Sequence, residues 1–170
     1  SDVLSYARYE GEWVIDEFQM YPLKPLVEEV SATLEHMLAE KNIQFKIIGP
    51  ESEKHTAVNI DGMKQVFLNL ISNAMKYTPP EGAITIRISD DSRKIVSVED
   101  TGKGIDPGIM EEVFEPFVHS DRGAVDGSKG TGLGLTIVKQ IVKFHKGDIW
   151  VESKSGEGTK FYFALPWRTL

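Results

Sequence analysis

Three stretches of this 170-residue chain carry residue types whose spacing points to chemistry. The first is Gln65, Asn69, Asn73 and Lys76. At 100° per residue they fall on one narrow strip of a helix read from Asp61 to Tyr77, so their side chains stack along a single edge. Surface helices usually place Glu and Lys there, and Asn is a poor helix former. Carboxamide oxygens can coordinate a hard cation, and an ammonium can meet a phosphate. The edge is either plainly solvated or it holds something polar. The second stretch is Gly130-Thr131-Gly132-Leu133-Gly134, directly before a helix. Free N–H groups and the positive end of a helix dipole bind phosphate, and glycine lets the backbone come close. A tight turn would need one glycine, not three. The third is Asp100, which closes a strand and enters Thr101-Gly102-Lys103-Gly104. A carboxylate held at a strand end can accept a hydrogen bond from an exocyclic amine. A simple Asp turn is the alternative.

Two common nucleotide fingerprints do not fit. In Gly130 to Gly134 the third glycine comes one residue early, and Leu135 stands where G-x-G-x-x-G needs it. Nothing in the chain matches G-x-x-x-x-G-K-[ST].

The elements that must position these groups read as a mixture of helices and hairpins. Trp13 to Tyr21 is rich in aromatic and β-branched residues and reads as a strand. Pro22 and Pro25 stand at the entry of a helix that keeps its apolar period to Lys41. Short strands follow at Phe45–Ile48 and Thr56–Ile60, and Asp61 is a candidate N-cap for the Asn-bearing helix. Met63, Val66, Phe67, Leu70, Ile71 and Ala74 give that helix its apolar face, and Pro79-Pro80 end it. Ile84–Ile88 alternates cleanly and pairs as a hairpin with Lys94–Glu99. Asp106-Pro107 offers the cap and first turn of a short helix to Val113. Residues 118–129 are polar and aperiodic and read as a mobile loop. Leu133, Ile137, Ile141 and Val142 form the core face of the last helix, before strands at Ile149–Val151 and Phe161–Leu165. The predicted class is α+β, a two-layer sandwich with helices on one face of a mixed, mainly antiparallel sheet.

Composition narrows the function. A net charge of −7 argues against a general nucleic-acid surface, which would be basic. The chain has no cysteine, so disulfides and thiolate metal sites are excluded, and a reducing, cytoplasmic setting is expected. No apolar run approaches the roughly 20 residues of a membrane span, so no direct membrane contact is expected of this domain, whether or not a longer parent is anchored. Ser1 to Tyr9 reads as the tail of a helix belonging to something longer.

Four boxes occur in order: Asn69-x-x-x-Asn73-x-x-Lys76-Tyr77, Asp100-x-Gly102-x-Gly104, Phe114-x-x-Phe117 and Gly130-x-Gly132-x-Gly134. On these, the chain resembles the catalytic ATP-binding domain of sensor histidine kinases over residues 20–166. The superfamily also holds DNA gyrase, the mismatch-repair ATPases and a heat-shock chaperone. The resemblance implies the Bergerat ATP-binding fold, with ATP and Mg2+ as cofactors. It implies that Asn73 is a Mg2+ ligand with Asn69 beside it. It places Lys76 on phosphate and Tyr77 against the base or ribose. Asp100 would accept from the adenine amine, in a pocket lined by Gly102, Gly104 and Ile105. Residues 118–129 match the ATP lid, and Lys129, Gly130, Thr131, Gly132, Leu133 and Gly134 line the phosphates. Thr159 resembles the last base-pocket residue.

Two positions depart from the family pattern. His119 stands where an Arg is often found, leaving Arg122 or Lys129 as phosphate-facing cations. Lys146 stands where a second glycine is common, a change expected to matter only at the surface.

Asn69 separates the activities. Hydrolases of this superfamily resemble one another in carrying Glu there, as base for the attacking water. A carboxamide cannot take that proton. The implied function is a histidine kinase whose acceptor is an imidazole. His36, His55, His119 and His145 lack the following acidic residue of the family's acceptor motif, and each reads as a surface or loop histidine. Residues 1–10 are then the end of a dimerisation and phosphoacceptor domain or a linker, and 11–170 the catalytic domain. The implied partners are that acceptor domain and a response-regulator receiver domain. A serine or threonine kinase, an ATPase and a nucleotide-binding docking module are the alternatives.

Overall fold

The computed structural model describes residues 17–108, 110–115 and 134–170. The expected helix tail at 1–9, the start of the first strand, Phe117, the lid at 118–129 and the residues Lys129 to Leu133 lie outside the described residues.

The described elements run β1 (Phe18–Tyr21), α1 (Lys24–Glu40), β2 (Gln44–Ile48), β3 (Thr56–Asn59), α2 (Ile60–Tyr77), β4 (Ala83–Asp90), β5 (Lys94–Asp100), a 3-10 turn (Met110–Glu112), α3 (Gly134–Phe144), β6 (Asp148–Lys154) and β7 (Gly158–Leu165). Five strands form one sheet in the order β2-β4-β5-β7-β6. β2 runs parallel to β4, and the other neighbours are antiparallel. β1 and β3 pair separately as a ribbon. The α+β sandwich predicted from the sequence is therefore the observed one.

The alternation of β4 decides which face is covered. Ile84, Ile86 and Ile88 are buried, while Arg87 between them is exposed. Val96, Val98, Phe161 and Phe163 continue the buried face across the sheet, and the apolar stripes of all three helices close on it in one core. Phe67 of α2 meets Phe163 of β7 with ring centroids 5.7 Å apart. Truncating a buried phenylalanine of this kind costs about 3–5 kcal/mol. On the open face Trp150 stacks on its cross-strand partner Tyr162 at 5.3 Å. At the start of β5, the fully buried Lys94 pairs with Glu53 at 2.7 Å and Asp90 at 2.8 Å. Glu53 also takes the N–H of Lys24 at 2.9 Å, so one carboxylate holds both the start of α1 and the sheet.

Four local readings change. Asn59, not Asp61, caps α2: its Oδ1 accepts the Gly62 N–H at 2.7 Å, because the helix begins one residue earlier than its apolar period indicates. Asp61 falls in the first turn, where its charge meets the positive end of the dipole. His145 is not a surface histidine. It is buried, its Nε2 accepts the Asn59 N–H at 2.9 Å, and its Nδ1 faces the Ile141 carbonyl at 2.7 Å. His36 and His55 are exposed, as expected. Of the helix expected after Asp106, the described residues form the 3-10 turn Met110–Glu112, while the Asp106 carboxylate accepts the Gly108 N–H at 2.8 Å as a cap does. Finally, β6 and β7 run longer than their apolar cores, out to the pair Lys154 and Gly158.

Candidate active site

The polar edge of α2 faces the start of α3. Gln65 Nε2 donates to Asn69 Oδ1 at 2.7 Å, and Asn69 Nδ2 donates to the Gly134 carbonyl at 3.1 Å. Both polar ends of the Asn69 carboxamide are therefore held. One turn further on, Asn73 Nδ2 is buried without a hydrogen-bond partner among the described residues. Leaving a buried donor unmade costs about 1–3 kcal/mol, so such a group calls for an explanation beyond stability. Lys76 is half-buried on the same edge and makes no ion pair among the described residues. The helix ends where Thr78 turns its N–H and hydroxyl back to the Ala74 carbonyl, at 3.0 and 2.7 Å.

The opposite wall is the glycine loop after β5. Asp100 is buried, and its Oδ1 accepts the Gly102 N–H at 2.9 Å, which turns the chain immediately. A Cβ on Gly102 would lie 2.3 Å from the Tyr77 carbonyl oxygen, so only glycine lets this loop press against the end of α2. Gly104 sits at φ +85°, where a Cβ would also meet the Lys154 carbonyl at 2.7 Å. The next residue, Ile105, is buried and gives its N–H to Ser153 Oγ at 2.7 Å. Thr159 is buried on β7 and is the ladder partner of Asp100.

The described residues predicted for the site thus form one continuous arc. Gly134 meets Asn69 on α2, Tyr77 at the end of α2 meets Gly102, and Asp100, Gly104, Ile105 and Thr159 complete the far side. The predicted Lys129, Gly130, Thr131, Gly132 and Leu133 lie outside the described residues. A cavity of about 390 Å³ reaches Asp100, Ser153 and Thr159 from the strand ends, but opens toward Thr85, Glu99 and Lys160 on the uncovered face. It touches none of Asn69, Asn73 and Lys76, so the arc and not this cavity defines the site.

Two supporting residues escape a reading by motif. Thr136, near the start of α3, donates to the Phe114 carbonyl at 2.8 Å, while the Phe114 ring meets Phe161 edge-on at 6.0 Å. Ser153 is the other. Its one signal in the sequence is a hydroxyl continuing the inward phase of Ile149 and Val151. As for a metal, the described residues hold no group of three or more His, Cys, Asp or Glu placed to bind one. The Asn73 carboxamide fits a hard cation that takes few protein ligands and completes its shell with phosphate and water.

Comparison with known proteins agrees with this geometry. The family described as "Histidine kinase-, DNA gyrase B-, and HSP90-like ATPase" matches residues 58–169. The sensor histidine kinase WalK of Bacillus subtilis is 37% identical over 135 residues, which cover 78% of this chain and 22% of WalK. The adaptive-response sensory kinase SasA of Synechococcus elongatus is 33% identical over 168 residues, covering 98% of this chain and 43% of SasA. The chain therefore spans less than half the length of these relatives. Among solved structures, the catalytic domain of histidine kinase ThkA superposes with a TM-score of 0.78 at 32% identity, over 89% of this chain and 99% of that one. Full-length ShkA in complex with AMPPNP gives a TM-score of 0.85 at 27% identity, over 99% of this chain and 35% of that one. ThkA in complex with the response regulator protein TrrA gives 0.74 at 29% identity, over 88% of this chain and 41% of that one. The chain belongs to the histidine kinase-, DNA gyrase B- and HSP90-like ATPase family, among the catalytic domains of sensor histidine kinases.

Proposed function

We propose that this domain binds Mg-ATP across the arc and transfers the γ-phosphoryl group to a histidine outside these 170 residues, for relay to a response-regulator aspartate. The observation that carries the reading is Asn69. Its carboxamide is bound on both sides, to Gln65 and to the Gly134 carbonyl, on an edge that presents no carboxylate to an attacking water. A neutral imidazole acceptor needs no such base, so the protein's work is to position and to stabilise charge.

Each residue then has a role. Asp100 accepts from the adenine amine, and Gly102, Gly104 and Ile105 shape the base pocket, with Tyr77 at its edge. Lys76 meets phosphate, and Gly134 brings the α3 start to the phosphates. The Asn73 carboxamide holds Mg2+, with Asn69 beside it as a second, more weakly placed candidate; a bound Mg2+ neutralises charge on the phosphates as the transfer proceeds. None of the described histidines is fit to receive the group: His36 and His55 sit on the surface without the acidic neighbour, and His145 is sealed in the core. The likeness to ThkA with TrrA, and to multidomain kinases generally, supports an acceptor domain and a receiver domain as partners, with residues 1–10 leading from the former. ATP use and the lack of cysteine support a cytoplasmic setting.

Calorimetry with Mg-ATP, followed by assay of steady-state phosphate release, tests the reading. Saturable binding with release far below that of the family's hydrolases is the expected pair of results. Absence of binding defeats the reading, and rapid release replaces it with an ATPase.

A further inference from the structure

Ser153 is a half-buried junction between the glycine loop and the base-pocket threonine. It projects inward from β6 and lies opposite Thr159 in the β6–β7 ladder. Its Oγ has three neighbours: the Ile105 N–H at 2.7 Å, the Gly158 carbonyl at 3.1 Å and Thr159 Oγ1 at 3.1 Å. A serine hydroxyl has one proton and two lone pairs. The Ile105 N–H occupies one lone pair. The proton then has two destinations. Given to the Gly158 carbonyl, it makes Thr159 spend its own proton on Ser153. Given to Thr159 Oγ1, it leaves the threonine proton free to point elsewhere.

The choice bears on the base. Thr159 is the ladder partner of Asp100, so the two side chains stand side by side at the pocket. Adenine shows an amino donor beside the N1 acceptor. Hypoxanthine shows an oxo acceptor beside an N1–H donor. Asp100, as an ionised carboxylate, only accepts, and suits the amino group. An adenine N1 needs a donor next to it, supplied directly or through one water. Thr159 is that donor only while Ser153 gives its own proton to Thr159. The same serine oxygen fixes the loop that floors the pocket, since a Cβ on Gly104 would approach it to 2.9 Å.

We propose that Ser153 is a positioning residue for base selection: it holds the Gly104–Ile105 backbone and sets Thr159 as a donor, favouring adenine over a 6-oxopurine. This rests on the ATP-binding reading above. The test is calorimetry of the 170-residue chain with Mg2+ and either ATP or inosine triphosphate, which differ only at the purine edge in question. Ser153→Ala is expected to narrow the preference for ATP over inosine triphosphate about tenfold, the scale of one hydrogen-bonding group, because a Thr159 hydroxyl that receives no proton can accept from hypoxanthine N1–H as readily as it donates to adenine N1. Ser153→Thr, which keeps the hydroxyl, restores the ATP preference. Thr159→Val narrows it as Ser153→Ala does, and carries the test if Ser153→Ala does not fold. An unchanged ratio of the two affinities in Ser153→Ala or Thr159→Val, whatever happens to the melting temperature, overturns the assignment. Failure of the unaltered chain to bind either nucleotide defeats the ATP reading itself, whereas ATP binding with an insensitive ratio defeats only the role of Ser153.

Discussion

Asn69 gives its side-chain N–H to the carbonyl of Gly134 across 3.1 Å, tying the middle of α2 to the first residue of α3. Gln65 completes the tie by donating to the oxygen of the same carboxamide at 2.7 Å. Two helices distant in sequence are thereby set at a fixed spacing where phosphates would enter.

That tie predicts a graded series. Asn69→Ala removes both hydrogen bonds and costs about 1–2 kcal/mol of stability. Gln65→Ala leaves the Gly134 bond in place and costs less. Because the two residues share one carboxamide, the double variant loses less than the sum of the single losses. Urea unfolding of the four proteins measures this.

Asn73 predicts effects of opposite sign on stability and on binding. Its amide is a buried donor with no partner among the described residues. Asn73→Leu removes that unmet group and improves helix propensity, so the free domain gains about 1–2 kcal/mol. For a domain of this size that raises the melting temperature by about 2–4 °C per kcal/mol. Mg-ATP binding is lost in the same variant. Thermal melting and calorimetry on one preparation check both halves.

Asp100→Asn separates folding from recognition. The new side chain keeps an oxygen for the Gly102 N–H, so the loop and the fold persist. In the proposed pocket, an amide donor then stands where the carboxylate would accept from the adenine amine. ATP affinity falls about a hundredfold, the scale of replacing a charged hydrogen bond by a donor–donor clash. Calorimetry beside an unchanged melting curve is the check.

His145 makes the domain acid-sensitive. Burial pushes its pKa down to about 4, helped by the Arg168 guanidinium and opposed by the bond to the Ile141 carbonyl. The unfolded chain takes up this proton near the ordinary pKa of 6.5, above the folded value. Stability is therefore full above pH 6.5 and falls as pH drops toward 4, by about 3 kcal/mol from this residue. Above that window the histidine stays neutral and accepts the Asn59 N–H. His145→Gln, compared with the unaltered chain in urea unfolding at pH 7.5 and pH 4.5, flattens the pH dependence.

Much of this was legible in the residues because the signals were local. Ile84-Thr-Ile-Arg-Ile88 alternates with period two, and its sheet position follows. The apolar stripe of α2 and the prolines after Thr78 bound that helix within one residue of its true start. Tertiary choices were not legible. Asn59 and Asp61 are both good caps by type, and what favours Asn59 is the His145 ring, which accepts its N–H from the turn after α3, far along the chain. The burial of His145 has the same origin, since nothing in His145-Lys146-Gly147 shows that Phe18 of β1 and Asn59 at the end of β3 close over it. Ser153 carries no motif, and its importance comes from a loop at Ile105 that only the fold brings to it. The polar edge of α2 could be read because its four residues share one helix face.

Phosphotransfer to an external histidine is open to one direct measurement. The 170-residue chain is mixed with a separate phosphoacceptor domain of its parent and γ-labelled ATP in Mg2+, and label on the acceptor is followed through acid and alkali treatment. The expected label is acid-labile and alkali-stable, lost when the acceptor histidine is replaced, and absent with Asp100→Asn. Acid-stable label on the acceptor, or none on it while the domain still binds ATP, would contradict phosphotransfer to histidine.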